Sequence, residues 1–267
     1  SLYYQLQKTC GGLRRPDYSG KLSCHRQIVA LLARQNVKIE GAEVLEVGTG
    51  WIPLMPIGFW LCGAARVRTC DLHRYLSLPV LRRALYWLDQ NHAWLGQLYG
   101  SVVTPEKMKM HLATLARLKD EPLEFLSEAR IEYHAPADCA DTALPDNSID
   151  IHFSSNVFEH VPPEVLAEIL CEAHRLLRNR GAAVHHIDPS DHFAHADKSI
   201  SSVNFLRFDD SEWRKYSENQ FAYHNRLRDA DYERLFNDAS FEVFDHEYEI
   251  DARALSELNN GFALAEP

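Results

Sequence analysis

Basic residues are scarce in this 267-residue chain: 28 Lys and Arg stand against 38 Asp and Glu, a formal charge of −10. That balance argues against a general nucleic-acid or anionic-membrane surface, since both need a cationic face. No dense Lys/Arg run offsets it. Cysteine is also sparse, at positions 10, 24, 62, 70, 139 and 171, with no Cys-x-x-Cys pair. Such scatter speaks against structural zinc through cysteine and, with no signal-peptide pattern ahead of it, predicts free thiols in a reducing cytoplasm. A clean membrane span is missing as well. Residues 47–65 carry no charge, but Gly48, Gly50, Gly58, Gly63, Pro53 and Pro56 interrupt them. A strand end, a turn and a buried helix account for this stretch better than a bilayer crossing of about 20 residues. Repeats and low-complexity tracts are absent too.

What remains is an ordinary globular composition, 46% hydrophobic and 25% charged, long enough to bury a sizeable core. Residues 22–36 place Leu22, Ile28, Leu31 and Leu32 at helical spacing, which predicts an N-terminal amphipathic helix. Residues 1–40 are read as an N-terminal helical segment, irregular around Tyr3, Tyr4, Gly11 and Gly12. Strands are expected at Val44–Val47, Arg66–Cys70, Ile131–His134, Ile149–Ser154, Ala182–Ile187 and Phe241–Tyr248. Helices are expected from Pro53 to Cys62, from Pro162 to Arg178 (ended by Gly181) and over Ala230–Ala239. A plain strand–helix–strand step needs about 30 residues, so the interval after Cys70 predicts a helical insertion near 75–128. A polar, aromatic cap is expected near 189–229. Alternating strands and helices imply an α/β fold, a doubly wound, mostly parallel sheet with that insertion and cap over residues 41–267.

The most informative stretch is Glu46-Val47-Gly48-Thr49-Gly50, an acid and two glycines at a strand-to-helix turn. Glycines let a backbone approach a ligand closely, and the following helix N-terminus offers free N–H groups. Asp71 ends the second strand, 21 residues after Gly50, where dinucleotide-binding folds place a ribose-binding acid. Two details weigh against a nicotinamide cofactor. Position 53, where a third glycine would fall, is Pro53, and Glu46 suits a methionine ammonium rather than a pyrophosphate.

These motifs, with Ala137-Asp138-Cys139, Leu144-Pro145-Asp146-Asn147-Ser148-Ile149-Asp150 and Ser154–Val161 in order, resemble the class I S-adenosylmethionine-dependent methyltransferases, the Rossmann-like small-molecule group with Leu-Pro…Asp and Glu-His signatures. The resemblance runs over about residues 40–190. It implies S-adenosyl-L-methionine as cofactor: Glu46, Gly48, Thr49 and Gly50 at the methionine end, Asp71 and Leu72 at the ribose, Asp138 and the Cys139 N–H at the adenine, and Asn156 near the sulfonium. Asp141 rivals Asp138 in the same loop. Ile52 stands where the fuller family motif has glycine, and only Phe262–Ala265 follow the last expected strand to supply the family's antiparallel one.

The implied reaction is methyl transfer to a small polar hydroxylated acceptor, a sugar or natural product, with N-methylation or a non-catalytic cofactor-binding role as alternatives. A hydroxyl acceptor needs a base, and histidine titrates in the required range. His186, His160 and His192 are the candidates. Glu159 can equally stabilise a helix N-terminus. The run from His185 to Asp197 holds four histidines and three aspartates, residues that ligate metals. It matches no recognised zinc spacing, and a polar-substrate loop needs the same groups, so no metal is assigned. Arg207, Trp213, Tyr216, Tyr223, Asn225 and Arg228 are candidate pocket residues. Neither nucleic acid nor membrane is expected as a partner.

Overall fold

The structure, a computed structural model, describes residues 16–217 and 223–265. The irregular reading of the first residues therefore lies outside the described part. The chain divides into two compact units: residues up to Ser154 with Arg175–His185, and Ser155–His174 with the residues from His186 onward.

In the first unit, helix α1 (Tyr18–Arg34) begins where the Asp17 carboxylate accepts from the Gly20 N–H. It buries Leu22, His25, Ile28 and Leu32 on one side, the stripe expected from a 3.6-residue period. Strand β1 (Glu43–Val47) leads through the glycine turn into α2 (Leu54–Leu61), all eight residues of which are buried. Burial on every side explains why residues 47–65 carry no charge. Among the described residues no helix is long and apolar enough to cross a membrane.

Strand β2 (Arg66–Cys70) is followed by four helices: α3 (Leu78–Gln90), α4 (His92–Tyr99), α5 (Pro105–Leu118) and α6 (Pro122–Glu128). These are the expected insertion, and they share the first unit with the sheet. Then come β3 (Ile131–His134), β4 (Ile149–Ser155), α7 (Pro163–Leu176) and β5 (Leu177–His186). The sheet order is β3-β2-β1-β4-β5. The β1–β2, β1–β4 and β2–β3 pairs are parallel, so the Rossmann-like arrangement is present.

The Leu-Pro-Asp segment clamps this sheet. Arg175 pairs with Asp146 and donates to the Leu144 carbonyl at 2.9 Å. The Asp150 carboxylate accepts from the Glu43 N–H at 2.8 Å and from Arg178 at 2.6 Å. Both β1 and β5 are thereby tied to the start of β4.

Two expectations fail here. The helix ends at Leu176 rather than at Arg178 before a Gly181 stop, and β5 starts at Leu177 rather than at Ala182. Gly181 lies inside that strand, where a Cβ would meet the Asp150 carbonyl at 3.0 Å. The strand expected at Phe241–Tyr248 is neither helix nor strand. Its alternating pattern provides a face but no ladder partner, and Phe244 and Tyr248 are exposed.

The second unit also holds the 3₁₀ turn Phe158–His160 and the helices α8 (Phe193–Ala196), α9 (Asp210–Ser217), α10 (Asp229–Asp238) and α11 (Ala252–Asn259). Of these, only α10 was expected.

Candidate active site

The glycine turn is built by backbone geometry that glycine alone adopts without strain. Gly48 and Gly50 have φ of +81° and +67°, in the left-handed region. The Gly48 N–H donates to the Cys70 carbonyl at 2.8 Å, fixing the turn to the end of β2. Gly50 is bound to Asp71 itself, its N–H donating to Oδ1 at 3.2 Å.

Asp71 is almost wholly buried and also accepts from the Tyr133 hydroxyl at 3.1 Å. Burial pushes its pKa up to about 6 against the opposing hydrogen bonds from Gly50, Tyr133 and Thr49. The Tyr133 hydroxyl in turn accepts from the Tyr75 N–H at 2.9 Å. Tyr133 thus ties Asp71 to the segment that follows it, a link that its place in a short strand did not advertise. Leu72, next to Asp71, is exposed and free to cover a ligand.

Glu46 is 2% exposed, and burial raises its pKa well above the usual carboxylate range. The Thr69 hydroxyl, its register neighbour on β2, donates to it, and Thr49 bonds Thr69 in turn. Among the described residues no Lys or Arg forms an ion pair with this acid, although Lys21 acts on it electrostatically.

In the loop after β3, Asp138 is exposed, with Oδ1 accepting from the Ala140 N–H at 2.9 Å. Its other oxygen remains available to an amino donor. Cys139 is buried and hydrogen-bonds the Cys70 thiol. Glu46, Gly48, Thr49, Gly50, Asp71, Leu72, Asp138 and Cys139 all belong to the first unit.

The second unit holds Asn156 and the histidines. Asn156, with φ +55°, donates its N–H to the His186 carbonyl at 2.9 Å. The His186 Nδ1–H donates to the Asn156 side-chain oxygen at 2.7 Å, leaving Nε2 with its lone pair. The surrounding protein atoms lower the His186 pKa, with Asp188 and Glu249 pulling the other way. A neutral ring oriented by an amide oxygen has the form of a general base.

His185, the preceding residue, points elsewhere, as alternation along a strand requires. Its Nδ1 lies 2.8 Å from the Ser154 hydroxyl, and its pKa falls well below the usual value through burial. The His160 Nδ1–H donates to the Tyr223 carbonyl at 2.9 Å. His192 is pushed down to about 4 by burial and by His160, which makes it a weak base.

Several pocket candidates turn out to be framework. Asn225 donates from its side chain to the carbonyls of Phe158 and Val161 at 2.7 and 2.9 Å, and its own N–H bonds the Glu159 carbonyl. Trp213 donates to the His224 carbonyl. Arg228 bonds the Pro189 carbonyl and covers the Phe205 ring at 4.5 Å, while Arg207 lies over Phe262. A separate groove in the insertion, lined by His92, Gly96 and Met108, contains none of the residues expected at the cofactor.

Residues 89–185 match the methyltransferase-domain family. The match includes Asp138, Cys139, Asn156 and His160 and begins after the glycine turn. No curated sequence matches the chain. Among solved structures, the chain is similar to the PH0226 protein of Pyrococcus horikoshii (15% identity, TM-score 0.47, 89% of this chain and 88% of that one). It is similar too to magnesium protoporphyrin IX methyltransferase of Synechocystis (11% identity, TM-score 0.47, 91% and 90%). A third is phosphoethanolamine N-methyltransferase 2 of Haemonchus contortus (15% identity, TM-score 0.44, 90% and 45%). The chain spans only 57% and 50% of two further matched chains.

Proposed function

We propose that the chain is a class I S-adenosylmethionine-dependent methyltransferase, in keeping with the methyltransferase-domain match over residues 89–185, and that it transfers the activated methyl group to a hydroxyl of a small polar acceptor, a sugar or other hydroxylated natural product. The observation that carries this reading is the bond joining Asp71 to Gly50 (3.2 Å), which makes ribose acid and glycine turn one unit. In this reading Asp71 binds the ribose hydroxyls, and the buried Glu46 meets the methionine ammonium. Asp138 and the Cys139 N–H take the adenine.

S-adenosylmethionine supplies a methyl on a sulfonium. The chain's own residues bind it, orient the acceptor and remove one proton. Holding acceptor oxygen and methyl in line supplies much of the rate. His186 takes the hydroxyl proton at Nε2, because Asn156 fixes Nδ1–H and the lowered pKa keeps the ring neutral near pH 7. Of the three candidate histidines it is the one bonded to Asn156, the residue expected near the sulfonium, while His192 is too weakly basic.

The test is incubation with S-adenosylmethionine and a panel of sugars, glycosides, catechols and amines, following S-adenosylhomocysteine and the methylated product by mass spectrometry. Turnover with hydroxylated acceptors, lost in His186→Gln, is the expected result. Turnover only with amines overturns the O-methyl assignment. Cofactor binding with no turnover on any acceptor favours a non-catalytic role.

A further inference from the structure

The second unit gathers a group of side chains that base catalysis leaves unexplained. Glu159 is fully buried, and its carboxylate has no side-chain hydrogen-bond partner, only backbone N–H groups near it. Asp188 and Tyr232 interact with it electrostatically, and two histidines stand close by. The ligand atoms of Glu159, His160 and His192 lie within 4.8 Å of one another. A second set, Asp188, His192 and His195, meets the same limit and shares His192. The His192 ring packs against those of His160, His195 and His224 at centroid distances of 4.9, 4.7 and 4.5 Å.

A buried carboxylate without a cationic partner is expensive, and proteins pair such groups or place a cation on them. No Lys or Arg pairs with Glu159 among the described residues. We propose that Glu159, His160 and His192 bind a divalent first-row transition-metal ion of the zinc type, with Asp188 and His195 supporting His192 from its other side.

Four features fit this assignment. Mixed imidazole and carboxylate donors suit such ions rather than magnesium or calcium. His160 donates Nδ1–H to the Tyr223 carbonyl, so its Nε2 lone pair is left for a ligand; this is the outer bond that metal-bound histidines ordinarily make. The 3₁₀ turn bearing Glu159 and His160 is held by Asn225 through the carbonyls of Phe158, Glu159 and Val161, so two donors sit on a rigid support. Glu159 offers a fully buried carboxylate with no Lys or Arg paired to it among the described residues, a charge that a bound cation would neutralise. Tetrahedral ligands on zinc stand roughly 3.4 Å apart, so side-chain shifts of about an ångström close the site.

The geometry is legible in space and hidden in sequence: the first two ligands are adjacent, and the third lies 32 positions on. Metal binding does not depend on the methyl-transfer reading. Were both correct, the ion would lower the pKa of a coordinated acceptor hydroxyl.

The experiment uses the full chain after chelation and dialysis, titrated with Zn²⁺ by calorimetry and with Co²⁺ by its visible d–d absorption. One ion per chain is expected, with a Co²⁺ spectrum of low coordination number. Glu159→Gln, His160→Ala and His192→Ala should each weaken binding at least about tenfold. His246→Ala, which removes an exposed histidine paired with Asp229, should leave it unchanged. Circular dichroism confirms that each variant is folded, and the conservative His192→Asn is read in place of His192→Ala if the latter is not. Failure of the wild type to bind either ion overturns the proposal. So does binding that Glu159→Gln and His160→Ala leave intact, including binding sensitive only to Asp188→Asn or His195→Ala. S-adenosylhomocysteine affinity, measured on the same samples, reports the cofactor reading separately.

Discussion

His186 and Asn156 are joined twice, ring Nδ1 to side-chain oxygen at 2.7 Å and Asn156 N–H to His186 carbonyl at 2.9 Å. The backbone bond sets the spacing of the two segments, and the side-chain bond selects the tautomer. With Nδ1 carrying the proton, Nε2 is the basic atom.

Replacing His186 by Gln should therefore lower kcat by about 10²- to 10⁴-fold, the usual worth of a positioned base. Cofactor affinity should change little. Steady-state kinetics with an identified acceptor, beside calorimetry with S-adenosylhomocysteine, separates the two effects.

The pH profile carries a second signature. His186 is held below its ordinary value of 6.5, so the acid limb of log kcat should fall below pH 6.5. In Asn156→Ala the limb should move further down, because the lost amide oxygen stabilised the protonated ring. A limb at or above 6.5 in the wild type would assign the base elsewhere.

Asp71 couples stability to pH in a definite direction. Its carboxyl binds a proton more tightly when folded (about 6) than at its reference value of 3.8. Its contribution is therefore full below pH 3.8, declines as pH rises from 4 to 6, and is lost above. The size is up to about 3 kcal/mol for a group this buried. Urea unfolding at pH 4, 5, 6 and 7 should show that slope in the wild type and a smaller one in Asp71→Asn.

Two glycines predict opposite outcomes. A Cβ on Gly58 would stand 2.7 Å from the His25 ring, which is buried and bonded to the Tyr99 hydroxyl at 2.9 Å. Gly58→Ala should cost about 1–3 kcal/mol. A Cβ on Gly96, inside α4, meets nothing within 4 Å, and Gly96→Ala should be neutral or stabilising by up to about 1 kcal/mol. Thermal melts of both variants check the pair.

Much of the first unit could be read from sequence, because its signals are local. Val44–Val47 is a mostly apolar run and Arg66–Cys70 alternates Arg with Val and Thr, and both strands lie at those segments. The insertion was legible from chain length between strands. The glycine turn was legible because positive φ has few substitutes for glycine, as Gly48 and Gly50 show. Partners supplied by another strand were not legible: Tyr133 at Asp71 and Thr69 at Glu46 are revealed only by register. In the second unit, the 241–248 pattern promised a strand that finds no neighbour. Asn225 looked like a pocket residue and is the clamp of the Glu159 turn. Nothing local to positions 159, 160 and 192 announced that they meet.

The central claim is that the turn from Glu46 to Gly50, with Asp71, holds S-adenosylmethionine. Calorimetric titration of the purified chain with S-adenosylmethionine and, separately, with NAD⁺ and NADP⁺ tests it most directly. The account predicts one S-adenosylmethionine per chain, affinity about 10- to 100-fold weaker in Asp71→Asn from loss of a charged hydrogen bond, and no dinucleotide binding. Tight binding of NAD⁺ or NADP⁺ without S-adenosylmethionine, or S-adenosylmethionine binding unchanged in Asp71→Asn, would contradict it.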